Sequence, residues 1–124
     1  MNGQHPLVLA LVSIALSVAA QFMLKAGMSS AAARELLAQP MALRSAWSLL
    51  SNGHILLGFA LYGLGAVVWL SVLSRWDVSK AYPLVGLGFV ATLFIGAMAG
   101  ENVSATRYLG VALICAGVWL VSRS

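Results

Sequence analysis

Residues 6–27 read PLVLALVSIALSVAAQFMLKAG, and this stretch decides the fold. It is long enough and apolar enough to cross a bilayer as a helix, which takes about 20 such residues. Inside it, Ser13, Ser17, Gln21 and Lys25 recur every four residues. At 3.6 residues per turn, steps of four stay on one slowly rotating face. Hydrocarbon tolerates such a stripe poorly, so the face is expected to look at protein or at a wet cavity.

The rest of the chain repeats the pattern. Of its 124 residues, 61% are hydrophobic and 8% are charged. A soluble domain is about 25% charged, and no soluble core of this size absorbs so much apolar surface. Barrel strands would alternate apolar and polar residues, which does not happen here. Four spans are expected, at about 6–27, 54–75, 81–99 and 105–122, forming a single four-helix transmembrane domain over 1–124. The expected class is an all-α integral membrane protein. Val18-Ala19-Ala20 has the small residues of a signal cleavage site, but no Lys or Arg precedes it and the apolar run continues beyond it, so a retained span is expected.

Between the first two spans lies 29–52, too interrupted to cross. Ser29 or Ser30 can cap a short helix, and Glu35 suits its first turns. Leu36, Leu37, Met41, Leu43, Trp47 and Leu50 mix with charged residues, which predicts an interfacial helical segment broken at Pro40 with Trp47 at headgroup depth. Pro83 suits the first turn of the third span. Gly86 and Gly88 follow and permit a bend or a close neighbour. Gly96 and Gly100 form a small-xxx-small pair; Gly110 and Gly117 share a face of the last span; Gly58, Tyr62 and Gly65 share a face of the second. These faces predict association with an identical or related subunit.

Positive charge distinguishes the two sides poorly. Arg75, Lys80 and Arg123 fall on one side, and Lys25, Arg34, Arg44 and Arg107 on the other. That is almost no positive-inside bias, so orientation is undecided. The net charge of +4 is scattered and forms no nucleic-acid patch. Cys115 is the only cysteine, in the last span, and reads as a small buried hydrophobe.

Enzyme chemistry finds no support. His5 and His54 lie at span edges, and the acids Glu35, Asp77 and Glu101 lie near membrane surfaces. No paired-carboxylate, nucleophile–base or metal-ligand spacing exists. Gly86-Leu87-Gly88 lacks the strand–turn–helix setting of a phosphate loop. No cofactor and no metal are expected. The stripe is the best candidate: a partly wet groove with neutral hydrogen-bonding groups and Lys25 at one mouth. It suits an anionic headgroup whose tail stays in lipid. It suits a lipophilic cation badly, because no carboxylate lies inside the membrane. Tyr82, Lys80 and Asp77 sit at the opening of the third span. Glu101 ends that span, with Arg107 placed to pair with it across the turn, an exposed pairing worth little.

The residues resemble the small multidrug resistance fold of the drug/metabolite transporter superfamily. The resemblance rests on four short spans, Lys25 ending the first, the Ala81-Tyr82 start of the third and Ile114-Cys115-Ala116-Gly117-Val118 in the fourth. It is closer to a lipid-handling branch, the 4-amino-4-deoxy-L-arabinose-phosphoundecaprenol flippase subunits, through Leu16-Ser17-Val18-Ala19-Ala20-Gln21 with Lys25, Ala81-Tyr82-Pro83-Leu84 and Gly100-Glu101. Segment 29–52 is longer than the resemblance implies. Drug exporters of this fold carry a glutamate in helix 1 for proton exchange; counting back from Lys25, that position is Ser17. The resemblance therefore implies a bacterial inner-membrane flippase subunit for an undecaprenyl-phosphate-linked aminosugar or similar lipid, working as a homodimer or with a related small subunit. Transfer of that sugar to lipid A belongs to the wider pathway. Ser13, Ser17, Gln21, Lys25, Tyr82, Lys80 and Glu101 are the candidate substrate contacts. The alternatives are a small-molecule exporter of this fold coupled without the glutamate, and a subunit that only stabilises a partner.

Overall fold

A computed structural model describes residues 4–40 and 43–123; the side chain of His5 and all of Met41 lie outside them. Every regular element among the described residues is helical. In chain order they are α1 (Gln4–Met28), α2 (Ala31–Ala38), α3 (Leu43–Leu50), α4 (Gly53–Leu73), α5 (Val78–Ala81), a 3-10 turn (Tyr82–Val85), α6 (Gly86–Met98) and α7 (Ala105–Arg123). Four stretches are long and apolar enough to cross a membrane: Pro6–Met28, Gly53–Leu73, Val78–Met98 and Ala105–Arg123. The chain is a multi-pass membrane protein.

The ends of these helices follow local chemistry. Ser30 caps α2, its hydroxyl accepting from the Ala33 amide at 3.2 Å and donating to the Gly27 carbonyl at 2.8 Å. Glu35 falls beyond the first turn of α2, so it offers the helix start no charge. Asn52 caps α4, its side-chain oxygen accepting from the His54 and Ile55 amides. Between α2 and α3 the break at Gln39-Pro40 interrupts the interfacial segment as proline requires, and Leu43 and Trp47 on α3 are exposed. The third span is not uniform. Its α geometry lapses at Tyr82–Val85, where Pro83 sits, one turn before Gly86 and Gly88.

Packing joins α1 to α4 antiparallel, α6 to α7, and α1 to α6. Small residues let the backbones meet, because in lipid no hydrophobic force pulls helices together. A Cβ on Gly58 would lie 2.7 Å from Leu24 Cγ, so Leu24 of α1 fills that gap in α4. Gly86 similarly receives Ile114 of α7, whose Cγ2 would be 2.8 Å from such a Cβ, and Gly88 faces Ile14 at 3.3 Å. Gly110 and Gly117 have nothing within 4 Å, and only Val118 of α7 is buried. The core gathers Ala10, Ile14, Val18, Val72, Leu84 and Val118, towards the N-terminal half of α1.

Candidate functional site

Two cavities lie along α1. The first, about 340 Å³, is lined by Ser13, Ser17, Gln21, Tyr62, Tyr82 and Thr92 among apolar neighbours that include Trp69 and Phe89. The second, about 780 Å³, holds Gln21, Lys25, Thr92, Glu101 and Arg107 beside Phe22, Leu93 and Ile114. Gln21, Phe89 and Thr92 line both, so the two meet between α1 and α6.

The four stripe residues have different roles in this geometry. Ser13 is buried, and its hydroxyl donates to the Gly65 carbonyl at 2.6 Å, tying α1 to α4. Ser17 lines the first cavity, with no hydrogen-bond partner among the described residues. Gln21 donates through Nε2 to the Tyr62 hydroxyl, which aims the amide across the junction of the cavities. A pinned amide keeps its carbonyl oxygen available as an acceptor. Lys25 lies only in the second cavity, where its ammonium adds charge to the mouth.

Tyr82 lines the first cavity at its other end and is 65% exposed, so its hydroxyl is accessible. Lys80 is not brought to either cavity. Its Nζ sits 4.6 Å from the centroid of the Trp76 ring, a cation–π contact outside the groove. Glu101 and Arg107 share the second cavity but do not pair with each other among the described residues; the Arg107 guanidinium donates to the Asn102 carbonyl at 3.3 Å. Gly96 and Gly100 do not act as one helix-packing pair. Gly100 has φ +94° and lies past the end of α6, where an added Cβ would meet nothing within 4 Å, while Gly96 abuts the Glu101 carboxylate.

Tyr62, Trp69, Thr92 and Arg107 are lining residues that the sequence did not single out as substrate contacts. Tyr62 was legible as part of a contact face with Gly58 and Gly65, but not as a polar partner of Gln21. Trp69 reads as an interfacial aromatic. Thr92 bonds to its own helix at Phe89 O, 2.9 Å, and is one turn on from Gly88. Arg107 is suggested only as a partner for Glu101. No group of three or more metal-ligating side chains gathers among the described residues.

The arrangement offers neutral hydrogen-bonding groups from α1, α4, α6 and the 3-10 turn, set among aromatic and aliphatic surface, with charged groups in the second cavity. Such a groove can hold a polar headgroup while its chain stays among lipid tails.

No protein-family model matches the chain, and no solved structure does. Curated proteins do. A probable 4-amino-4-deoxy-L-arabinose-phosphoundecaprenol flippase subunit ArnE of Pseudomonas savastanoi is 43% identical over 83 residues, covering 66% of this chain and 67% of that one. An ArnF subunit of the same flippase from Proteus mirabilis is 31% identical over 118 residues, 92% of this chain and 89% of that one. Another ArnF, from Photorhabdus laumondii, is 32% identical over 120 residues, 91% and 93% of the two chains. At these identities and coverages the chain belongs to the family of 4-amino-4-deoxy-L-arabinose-phosphoundecaprenol flippase subunits.

Proposed function

We propose that this chain is one small subunit of a flippase that moves an undecaprenyl-phosphate-linked aminosugar, of the 4-amino-4-deoxy-L-arabinose type, across the bacterial inner membrane. The observation that carries this reading is the pair of cavities that meet between α1 and α6, where the polar α1 stripe is set among aromatic and aliphatic side chains. Ser17 and Gln21 hydrogen-bond the headgroup in passage, Lys25 attracts its phosphate at one mouth, and Tyr82 stands at the other end. Ser13 serves the helix contact instead. The work is transport rather than covalent chemistry, in line with relatives named as flippase subunits.

One small bundle has little room to enclose a lipid-linked sugar. The face of α7 around Gly117, where an added Cβ would meet nothing within 4 Å, is where a second small subunit packs in this reading. The turn at Tyr82–Val85 supplies an irregular backbone beside the cavity, a feature of helices that rearrange during alternating access.

The test is transport by the chain with its partner subunit in proteoliposomes. It is read from the fraction of lipid-linked aminosugar whose amine reacts with an impermeant reagent. Gln21→Leu and Lys25→Ala are each expected to slow the reaction several-fold. If both leave the rate unchanged, the site assignment is wrong.

A further inference from the structure

The second cavity carries a charge pattern that phosphate attraction alone leaves unexplained. Lys25 and Arg107 line it, but so does Glu101. A carboxylate beside two cations opposes a purely anionic ligand by like-charge repulsion.

The backbone fixes this carboxylate in place. Just past the end of α6, Gly100 sits at φ +94°. The Gly100 amide donates to the Ala97 carbonyl at 3.2 Å, and the Glu101 amide to the Gly96 carbonyl at 3.0 Å. These two bonds are a Schellman ending, which sets the direction of the residue after the glycine. The Glu101 side chain then lies back over α6 where Gly96 has no side chain. A Cβ on Gly96 would be 3.0 Å from Glu101 Oε1 and 3.1 Å from Cδ. Two glycines thus seat one carboxylate. Among the described residues the carboxylate forms no ion pair, and the Arg107 guanidinium donates to the Asn102 carbonyl instead.

We propose that this cavity reads a zwitterionic headgroup: Lys25 and Arg107 take its phosphate, and Glu101 takes a primary ammonium on the group attached to that phosphate. The proposal rests on the lipid-flippase reading and goes beyond it. It makes Glu101 the residue that distinguishes a free amine from an acylated or missing one. Ammonium–carboxylate hydrogen bonds are among the stronger ones. An N-acylated headgroup still offers its phosphate but leaves the carboxylate facing a neutral amide. Gly96 and Gly100 are positioning residues for that contact.

The test uses the full chain in phosphatidylglycerol nanodiscs and two probes. One is undecaprenyl-phosphate-linked 4-amino-4-deoxy-L-arabinose, and the other is the same lipid N-acetylated. The wild type is expected to bind the free amine about three- to tenfold more tightly. Glu101→Gln, isosteric at an exposed position, removes that preference and, by lifting the like-charge repulsion, tightens the binding of the acetylated lipid. Gly96→Val, which keeps the carboxylate but displaces it, also loses the preference. Arg107→Gln weakens both lipids alike. Substituting phosphatidylethanolamine, which offers the same phosphate and ammonium, separates the two sources. If it erases the wild-type preference, the ammonium read is the bulk lipid's; if the preference persists, it is the sugar's. A preference that survives Glu101→Gln overturns the amine reading and leaves the flippase reading standing. A wild type that binds neither probe overturns both.

Discussion

Gly65 is where the backbone of α4 meets the polar stripe, and Gly65→Ala measures how tightly. An added Cβ would meet Leu16 Cβ and the Ser13 carbonyl oxygen at 3.3 Å, and Ser17 Oγ at 3.5 Å. Carbon atoms rest at about 3.5–4.0 Å, so α1 must retreat by about 0.2–0.5 Å. The two nearest atoms are backbone or attached directly to it, and neither can swing aside. Overpacking of this kind costs about 1–3 kcal/mol. The same retreat stretches the 2.6 Å bond from Ser13 to the Gly65 carbonyl. Alanine also favours a helix over glycine by about 0.5–1 kcal/mol, which partly masks the cost. Gly63→Ala supplies the internal control: it lies on the same helix, gains the same propensity, and has nothing within 4 Å. Reversible unfolding in mixed micelles with increasing denaturing detergent should therefore place Gly65→Ala about 1–3 kcal/mol below Gly63→Ala. If the two variants agree within about 0.5 kcal/mol, α1 does not sit against α4 as described.

Three further outcomes are expected. Gly100→Ala meets no atom within 4 Å but must hold φ +94°, so it should cost about 1–2 kcal/mol in the same unfolding assay, whereas an unchanged midpoint would deny the strained ending of α6. Gln21→Leu and Tyr62→Phe should be non-additive in a double-mutant cycle, with a coupling of about 0.6–1.7 kcal/mol; strict additivity would mean the amide–hydroxyl bond does not form. Asn52→Ala removes the acceptor for the His54 and Ile55 amides and should cost about 1 kcal/mol, with fraying confined to the start of α4 in hydrogen exchange; protection there equal to the wild type would remove its role as a cap.

The spans were legible because apolar length is read directly from residue order, and the cap at Ser30 because its chemistry is local. The stripe was legible as polar but not as divided. Steps of four residues advance 40° beyond a full turn, so from Ser13 to Lys25 the face winds by about 120°. That rotation sends Ser13 to the Gly65 carbonyl, Ser17 and Gln21 to the first cavity, and Lys25 to the second. Gly96 and Gly100, four apart, looked like a packing pair because spacing does not show that the helix stops between them at Met98. The partnership of Gln21 with Tyr62 needs the register of two antiparallel helices, which no local pattern encodes. Lys80 is four residues on from Trp76, whose ring holds it away from the groove. Segment 29–52 was legible as short helices broken at Pro40, and its length relative to the resemblance finds no explanation in the structure.

The central claim is that a lipid headgroup lodges between α1 and α6. Native mass spectrometry of the gently purified chain, wild type beside Gln21→Leu and Lys25→Ala, tests it most directly. The wild type should retain a polyprenyl-phosphate-linked aminosugar that both variants release at lower collision energy, with annular phospholipids lost equally from all three. Retention of that lipid to the same energy in every protein, or its absence from the wild type, would contradict the claim.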